Sequence, residues 1–360
     1  MAKKGVIMPN YYDVRQLTDN FIDRWAHRVR PALTFKGRTP QDVELWKGKL
    51  VRKIRQLLGA FPEPADLSPE LHSVEETEKF TREKWLIQTE RDCWMPLYLL
   101  VPREKKGKLP AIVCCHGHGT YGKDPVAGVT HNNPDIEASI RRHNYDYGRQ
   151  MAEAGYVTIC PDWRSFGERV GYNDDPFGGR DKCNVHFIQH LILGRTLLGM
   201  NIFDGMRAVD FLLTRDFVDP TRIGCMGLSQ GGTMATYLTL LDERIVCGDI
   251  ICYATSTLHY AIHRPNFCGS QLVPFLYRYA DVGDVIAAIC PKPLLIESGA
   301  SDTCFSLESA RIAHEKVKRV YQTAGVPERL WIEIFPGEHA FSGRKAFEFF
   351  DSFLRKKNNG

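Results

Sequence analysis

The chain has 360 residues, enough for one large α/β domain with an extension, and 43% of them are apolar, enough to fill its core. Its 47 basic and 43 acidic residues are interspersed, and the net charge of +4 comes without any long basic run, which argues against a nucleic-acid partner. No stretch reaches the roughly 18 uninterrupted apolar residues of a membrane span, so no membrane association is expected.

From the start of the chain, Met1–Asp13 carries no apolar signal core. The first 75 residues read as helical. Val43, Trp46, Leu50, Ile54 and Leu57 recur at spacings of three and four and make one apolar face, which stops at Gly59 and Pro62. Pro62–Pro69 reads as a linker. Two strand-like runs follow, Phe80–Thr89 and Met95–Val101, separated by the polar Glu90–Asp92; they form an expected antiparallel pair. Lys105, Lys106 and Lys108 then read as a solvated loop.

After residue 109 short apolar runs alternate with helical stretches. The runs are Ala111–Cys115, Tyr156–Cys160, Arg222–Met226, Ile245–Tyr253, Pro293–Glu297 and Leu330–Phe335. Strands this apolar suit a parallel sheet covered on both faces. One helix carries the stripe Leu198, Ile202, Met206, Val209 and Leu213. Another starts at the N-cap Ser306, carries Ala310, Ala313, Val317 and Val320, and stops at Gly325 and Pro327. The fold expected is therefore α/β, with a mostly parallel central sheet of about eight strands flanked by helices. Residues 1–75 are expected to be a helical extension packed on a domain of residues 76–360. Two connections, at about 119–145 and 255–288, are long enough to be functional loops or lids.

The strongest local signal is Gly227-Leu228-Ser229-Gln230-Gly231-Gly232, set between a strand and a helix-like stretch. That is the context of a nucleophile elbow, in which a tight, strained turn exposes a serine hydroxyl and Gly227 and Gly231 leave room for it. A serine needs a base and the base an orienter. Asp302 lies just past the strand Pro293–Glu297, and His339 lies on the loop after the last strand, giving the order Ser229, Asp302, His339. Glu297 is the rival carboxylate but falls inside its strand, and His314 falls in a helix. The oxyanion hole is expected from the backbone N–H of Gln230 and one from His116-Gly117-His118-Gly119, at His118, with Gly117 and Gly119 permitting close approach. His116 with His118 as a metal pair lacks a third ligand nearby in the sequence, so no metal and no cofactor is expected. Tyr121, His131, Tyr145, Trp163, His259 and Tyr260 are candidate pocket residues.

These pieces, with Asp162-Trp163-Arg164-Ser165-Phe166-Gly167 and Gly337-Glu338-His339, resemble α/β hydrolases of the dienelactone-hydrolase type over residues 75 to 356. Within them the resemblance is closest to the acetyl xylan esterase-like and cephalosporin C deacetylase-like branch. It implies an α/β-hydrolase fold, a serine esterase mechanism, and a structural role for Asp162 and Arg164 near the site. Deacetylases of that branch usually carry Arg-Gly-Gln-Gly at 164–167 and Glu where this chain has Ala340. Prolyl-oligopeptidase-like peptidases share the elbow but carry a propeller, for which this chain has no repeats.

The expected activity is hydrolysis of a small-molecule carboxylic ester through an acyl-enzyme. Amide, lactone or C–C cleavage by the same triad and a non-catalytic binding role remain alternatives. Of the eleven cysteines, Cys114, Cys115, Cys160, Cys225 and Cys252 sit in apolar runs, and none has CxxC spacing, which fits a cytoplasmic protein. A homo-oligomer is compatible with the sequence, which specifies none.

Overall fold

The structure, a computed structural model, describes residues 11–104, 107–171, 181–264 and 266–355, with main chain only for 11–13. Met1–Asn10, Lys105 and Lys106 lie outside the described residues. Two helices open the chain, α1 (Tyr11–Arg28) and α2 (Pro40–Leu58). A capping box starts α2: Asp42 N–H donates to Thr39 Oγ1 at 3.2 Å, and Thr39 N–H donates to the Asp42 carboxylate at 3.0 Å. The helix buries Val43, Trp46, Leu50, Ile54 and Leu58. Its stripe keeps stepping by four after Trp46, so it lands on Leu58, and the expected Leu57 is only half-buried.

The sheet has nine strands in the order β1-β2-β3-β5-β4-β6-β7-β8-β9. They are β1 (Glu70–Glu76), β2 (Phe80–Glu90), β3 (Cys93–Pro102), β4 (Leu109–Cys115), β5 (Val157–Pro161), β6 (Val218–Leu228), β7 (Ile245–Ile251), β8 (Leu294–Gly299) and β9 (Leu330–Phe335). The first three run antiparallel, β3 also meets β5 antiparallel, and the remaining pairs are parallel. This is the α/β-hydrolase fold, with one strand more than expected. The extra strand is β1, which begins just past the expected linker, where the chain up to residue 75 is read as helical. Every residue of it is exposed, so it has no apolar alternation to read, and its Glu70, Glu75 and Glu76 mark it as a charged sheet edge.

Eight further helices are α3 (Pro134–His143), α4 (Tyr147–Glu153), α5 (Lys182–Ile192), α6 (Leu197–Leu213), α7 (Gln230–Leu241), α8 (Val282–Ala287), α9 (Leu307–Thr323) and α10 (Ala346–Leu354). The long connections are not bare loops: 119–145 holds α3, and 255–288 holds short helical turns and α8. In α6, Leu198, Ile202 and Val209 are buried as expected, whereas Met206 is half-buried and Leu213 is exposed at the last turn. In α9 the expected stripe is buried, Ser306 caps the first turn by accepting the Ser309 N–H, and Gly325 follows with φ +76°. Apolar layers cover both faces of the sheet, Leu97, Val113 and Ile250 lying in one and Leu100, Ile112 and Ile251 in the other. Cys114, Cys115, Cys160, Cys225 and Cys252 are buried free thiols. No helix among the described residues is long and apolar enough to cross a membrane.

One buried polar cluster stands beneath the C-terminal loops. Glu297 on β8 pairs in register with Glu333 on β9 and with Ile251 on β7, two residues from Asp249, so all three carboxylates share one face. Both Asp249 oxygens and one Glu297 oxygen have no hydrogen-bond partner among the described residues. Burial, reinforced by Glu333 against the opposing Ser342 N–H, pushes Glu297 up to about 8 from an ordinary 4.5. Between those values the unfolded chain has lost a proton that the folded chain keeps. Stability therefore falls as pH rises through that window and levels off above it. Glu297→Gln, which keeps an acceptor for the Ser342 N–H, is expected to flatten this fall and to melt higher than wild type at pH 8. Thermal melts across pH 5 to 9 check it, and a variant that tracks wild type throughout would refute it.

Candidate active site

The elbow is built by crowding. Ser229 follows the last residue of β6 and precedes the first of α7, and its backbone sits at φ +65°, ψ −119°, a strained region for a side-chain-bearing residue. Its N–H donates to Ile251 O at 2.9 Å, and its C=O accepts the Thr233 N–H at 3.1 Å, so strand and helix both grip it. A Cβ on Gly227 would collide with the carbonyl of Gly231, and a Cβ on Gly231 with the carbonyl of Cys115. Only glycine fits at either position.

Asp302 and His339 come from the ends of β8 and β9. His339 Nδ1–H donates to Asp302 Oδ2 at 2.8 Å. The other oxygen, Oδ1, accepts the N–H groups of Cys304 at 2.7 Å and Phe305 at 2.9 Å. These three donors fix the carboxylate, and the Phe305 ring stacks on the His339 imidazole at 5.6 Å, 12° from parallel. Nε2 is left for the cleft that Ser229 also lines. The rival Glu297 holds the Ser342 N–H at 2.8 Å, three residues beyond His339. His314 is buried against Ser298.

The loop after β4 passes over the elbow. A Cβ on Gly117 would press on Leu228 O at 2.8 Å and on the Ser229 Cβ at 3.4 Å, which accounts for that glycine; Gly119 faces open space and needs no such account. The backbone N–H groups of Gln230 and His118 are committed to no other acceptor among the described residues. Gly117 N–H is already taken by the Tyr145 hydroxyl at 2.6 Å. His116 is fully buried: its Nε2 accepts the Trp163 N–H at 3.1 Å, and its Nδ1–H donates to Gly117 O at 2.7 Å. Those partners specify one neutral tautomer, and burial holds the ring down at about 4.

Two clefts meet at Ser229. One, of about 130 Å³, is lined by Gly117, Tyr121, Ser139, His143, Tyr145 and His339. The other, of about 440 Å³, lies toward Asp181, Tyr260, Phe267, Cys268, Gln271 and Cys304, and His118 and His339 border both. Of the candidate pocket residues, Tyr121, Tyr145 and Tyr260 line these clefts. Trp163 does not: it is fully buried behind His116. His259 points instead to Ser256, whose hydroxyl lies 2.8 Å from Nδ1, and lines a separate cleft with Glu308. His131 is exposed beside Asp124. His116 and His118 diverge, so they are no metal pair; His118 lies instead against Asp181, Cys183 and Cys268. Hydrogen bonds from Cys183 first, and then from His118 and Ser270, hold the Cys268 thiol well below its ordinary value. Nothing in the spacing of 118, 183 and 268 signals that they meet.

A profile described as the abhydrolase family matches residues 2–343. YtaP of Bacillus subtilis (strain 168), which carries a provisional hydrolase name, is 26% identical over 284 residues, 77% of this chain and 88% of that protein. A Bacteroides fragilis protein provisionally named an acetyl xylan esterase superposes with a TM-score of 0.73 at 20% identity, over 93% of this chain and 84% of that one. A glucuronoyl esterase from Solibacter usitatus superposes with a TM-score of 0.65 at 15% identity, over 91% of this chain and 99% of that one. At such identities the structural likeness is one of fold.

Removing the Tyr145 hydroxyl strips the acceptor from the buried Gly117 N–H directly above the elbow. Tyr145→Phe is expected to cost about 1–3 kcal/mol, the range for a buried donor left unpaired. A lower urea midpoint at unchanged slope would show it, and a midpoint equal to that of wild type would count against it.

Proposed function

The chain belongs to the abhydrolase family, and on that premise we propose that it is a serine hydrolase that cleaves carboxylic esters through an acyl-enzyme. The observation that carries the reading is convergence. Ser229 on its strained elbow and His339 reach one cleft from two strand ends, and Asp302, hydrogen-bonded to His339 Nδ1, comes from a third.

In this reading the Ser229 hydroxyl attacks the ester carbonyl while His339 Nε2 takes its proton. Asp302, held by the Cys304 and Phe305 N–H groups, fixes the ring and stabilises the imidazolium. The carbonyl oxygen turns toward the N–H groups of Gln230 and His118, the first at the N-terminal end of α7, where the helix dipole favours negative charge. His339 then returns the proton to the leaving alkoxide. Water, deprotonated by His339, attacks the acyl carbonyl and frees Ser229. The cycle is complete with these groups and water.

The two clefts divide the substrate. The smaller, beside Tyr121 and Tyr145, has room for a short acyl group, and the larger, toward Tyr260 and Gln271, for a bulkier alcohol. The names of the glucuronoyl and acetyl xylan esterases of like fold agree with an ester bond as the target.

A series of p-nitrophenyl esters tests this. Hydrolysis is expected to be fastest with acetate and to decline as the acyl chain lengthens. Ser229→Ala is expected to lose at least about 10³-fold in kcat, as loss of a triad nucleophile does. A fluorophosphonate probe should label wild type and not the variant. Full ester hydrolysis by Ser229→Ala would overturn the assignment.

A further inference from the structure

The side chains clustered on the far side of the larger cleft are not used by this chemistry. His118 Nε2, Cys183 Sγ and Cys268 Sγ all lie within 4.8 Å of one another. The Asp181 carboxylate borders two of them: Oδ2 is 3.2 Å from His118 Nε2, and Oδ1 is 3.2 Å from Cys183 Sγ. Cys183 Sγ is 3.5 Å from His118 Nε2. We propose that His118, Cys183 and Cys268, with Asp181 beside them, form a binding site for a thiophilic divalent metal ion of the zinc class.

The donor set suits such an ion. Two sulfurs and one imidazole nitrogen are three ligands of a tetrahedral set, and Asp181, which faces His118 and Cys183, is the neighbouring group for the fourth. With metal–sulfur bonds of about 2.3 Å and metal–nitrogen or metal–oxygen bonds of about 2.0–2.1 Å, the edges of that tetrahedron run from about 3.3 to 3.8 Å. The separations of 3.2 and 3.5 Å lie at or near that range. Binding replaces the two thiol protons with the metal, so two protons leave to solvent and both sulfurs coordinate as thiolates.

The surroundings hold the donors in place. Gly269 N–H donates to Asn184 Oδ1 at 2.8 Å, joining the Cys268 turn to α5, which carries Cys183. A Cβ on Gly269 would collide with Phe187, so glycine lets the turn come down on that helix. The Ser270 hydroxyl sits 2.8 Å from Cys268 Sγ, the kind of supporting contact that orients a ligand. His118 and Asp181 are 43% and 44% exposed at their side chains, which leaves the ion a way in. A disulfide between Cys183 and Cys268 would use two of these groups and would leave the His118 imidazole that lies with them unexplained. A bound ion would join the loop after β4, α5 and the Cys268 turn. It would thereby fix His118, whose backbone N–H is the proposed oxyanion donor.

The test reads metal binding, so it stands apart from the esterase reading. The full-length protein, reduced and freed of metal by a chelator, is titrated with Zn²⁺ and separately with Co²⁺. One equivalent is expected to bind, with thiolate-to-cobalt charge-transfer absorption and the strong visible bands of a tetrahedral Co²⁺ site. Cys183→Ser and Cys268→Ser are each expected to weaken binding by more than about 100-fold, beyond the loss caused by removing a supporting contact. Cys252→Ser, which alters the other His, Cys and carboxylate group at Asp302 and His339, is expected to leave the affinity unchanged. A wild-type cobalt spectrum without thiolate charge transfer overturns the proposal without recourse to any variant. So does zinc affinity that persists in a folded Cys183→Ser, Cys268→Ser double variant, or a Cys183–Cys268 disulfide in protein that takes up no metal.

Discussion

The close approach of three backbone segments at the elbow is the constraint on which the site depends. β6 must end, turn and become α7 within the space left by Cys115 at the end of β4. Glycines at 227 and 231 are the only residues that clear the carbonyls facing them. That approach forces Ser229 to φ +65°. The strain is offset by the β4–β6 and β6–β7 ladders on either side and by the helix behind. A serine held this way needs no side-chain support, which leaves its hydroxyl to the cleft that His339 also lines.

Around this fixed point the site is assembled from loops, and loops need polar fastening. Asp162, fully buried, accepts the Lys123 N–H at 2.8 Å, the Lys123 ammonium at 2.8 Å and the Glu168 N–H at 3.1 Å. Burial alone would lower Lys123, but Asp162, Asp124 and Glu168 more than reverse that and keep it charged. Arg164 forks onto Asp204 with bonds of 2.8 and 2.9 Å and reaches Glu90 at 2.8 Å. Burial would raise Asp204, but Arg169 and Arg164 outweigh it and hold it at about 2. The Asp162–Lys123 pair ties the long segment after β4 to the loop after β5, and the Arg164 bonds tie that loop to α6 and to the end of β2. Removing one partner would leave a buried charge without compensation, the costly way to break such a pair.

What was readable in the sequence follows from what is local. The elbow, the strand runs and the order of Ser229, Asp302 and His339 are local patterns or simple orderings; Ser229 follows β6, and Asp302 and His339 lie just past the paired strands β8 and β9. The edge strand β1 was not readable, because a strand exposed at every position has no periodicity and owes its existence to its partner β2. Trp163, expected as a pocket wall, is fully buried; an aromatic beside a motif has no local mark that separates burial from display. The meeting of His118, Cys183 and Cys268 is unreadable for a third reason: it joins the loop after β4, α5 and the 255–288 connection, and no short-range spacing encodes it.

Glu297 and Asp302 show how placement alone separates two carboxylates five residues apart. Glu297 lies within β8, where its neighbours are Glu333 and the unpartnered Asp249, and burial makes its charge expensive. Its value of about 8 keeps it largely protonated at neutral pH, where it serves as an anchor for the Ser342 N–H and hence for the loop carrying His339. Asp302 lies beyond the strand end, where the chain can turn two N–H groups onto one oxygen and leave the other for His339. A base oriented by Asp302 can accept a proton from Ser229 and be stabilised as imidazolium by the carboxylate behind it. One oriented by a neutral Glu297 could not be stabilised in that way. The strand end is therefore a chemical boundary as well as a structural one: inside it a carboxyl braces the fold, and beyond it a carboxyl can serve the reaction.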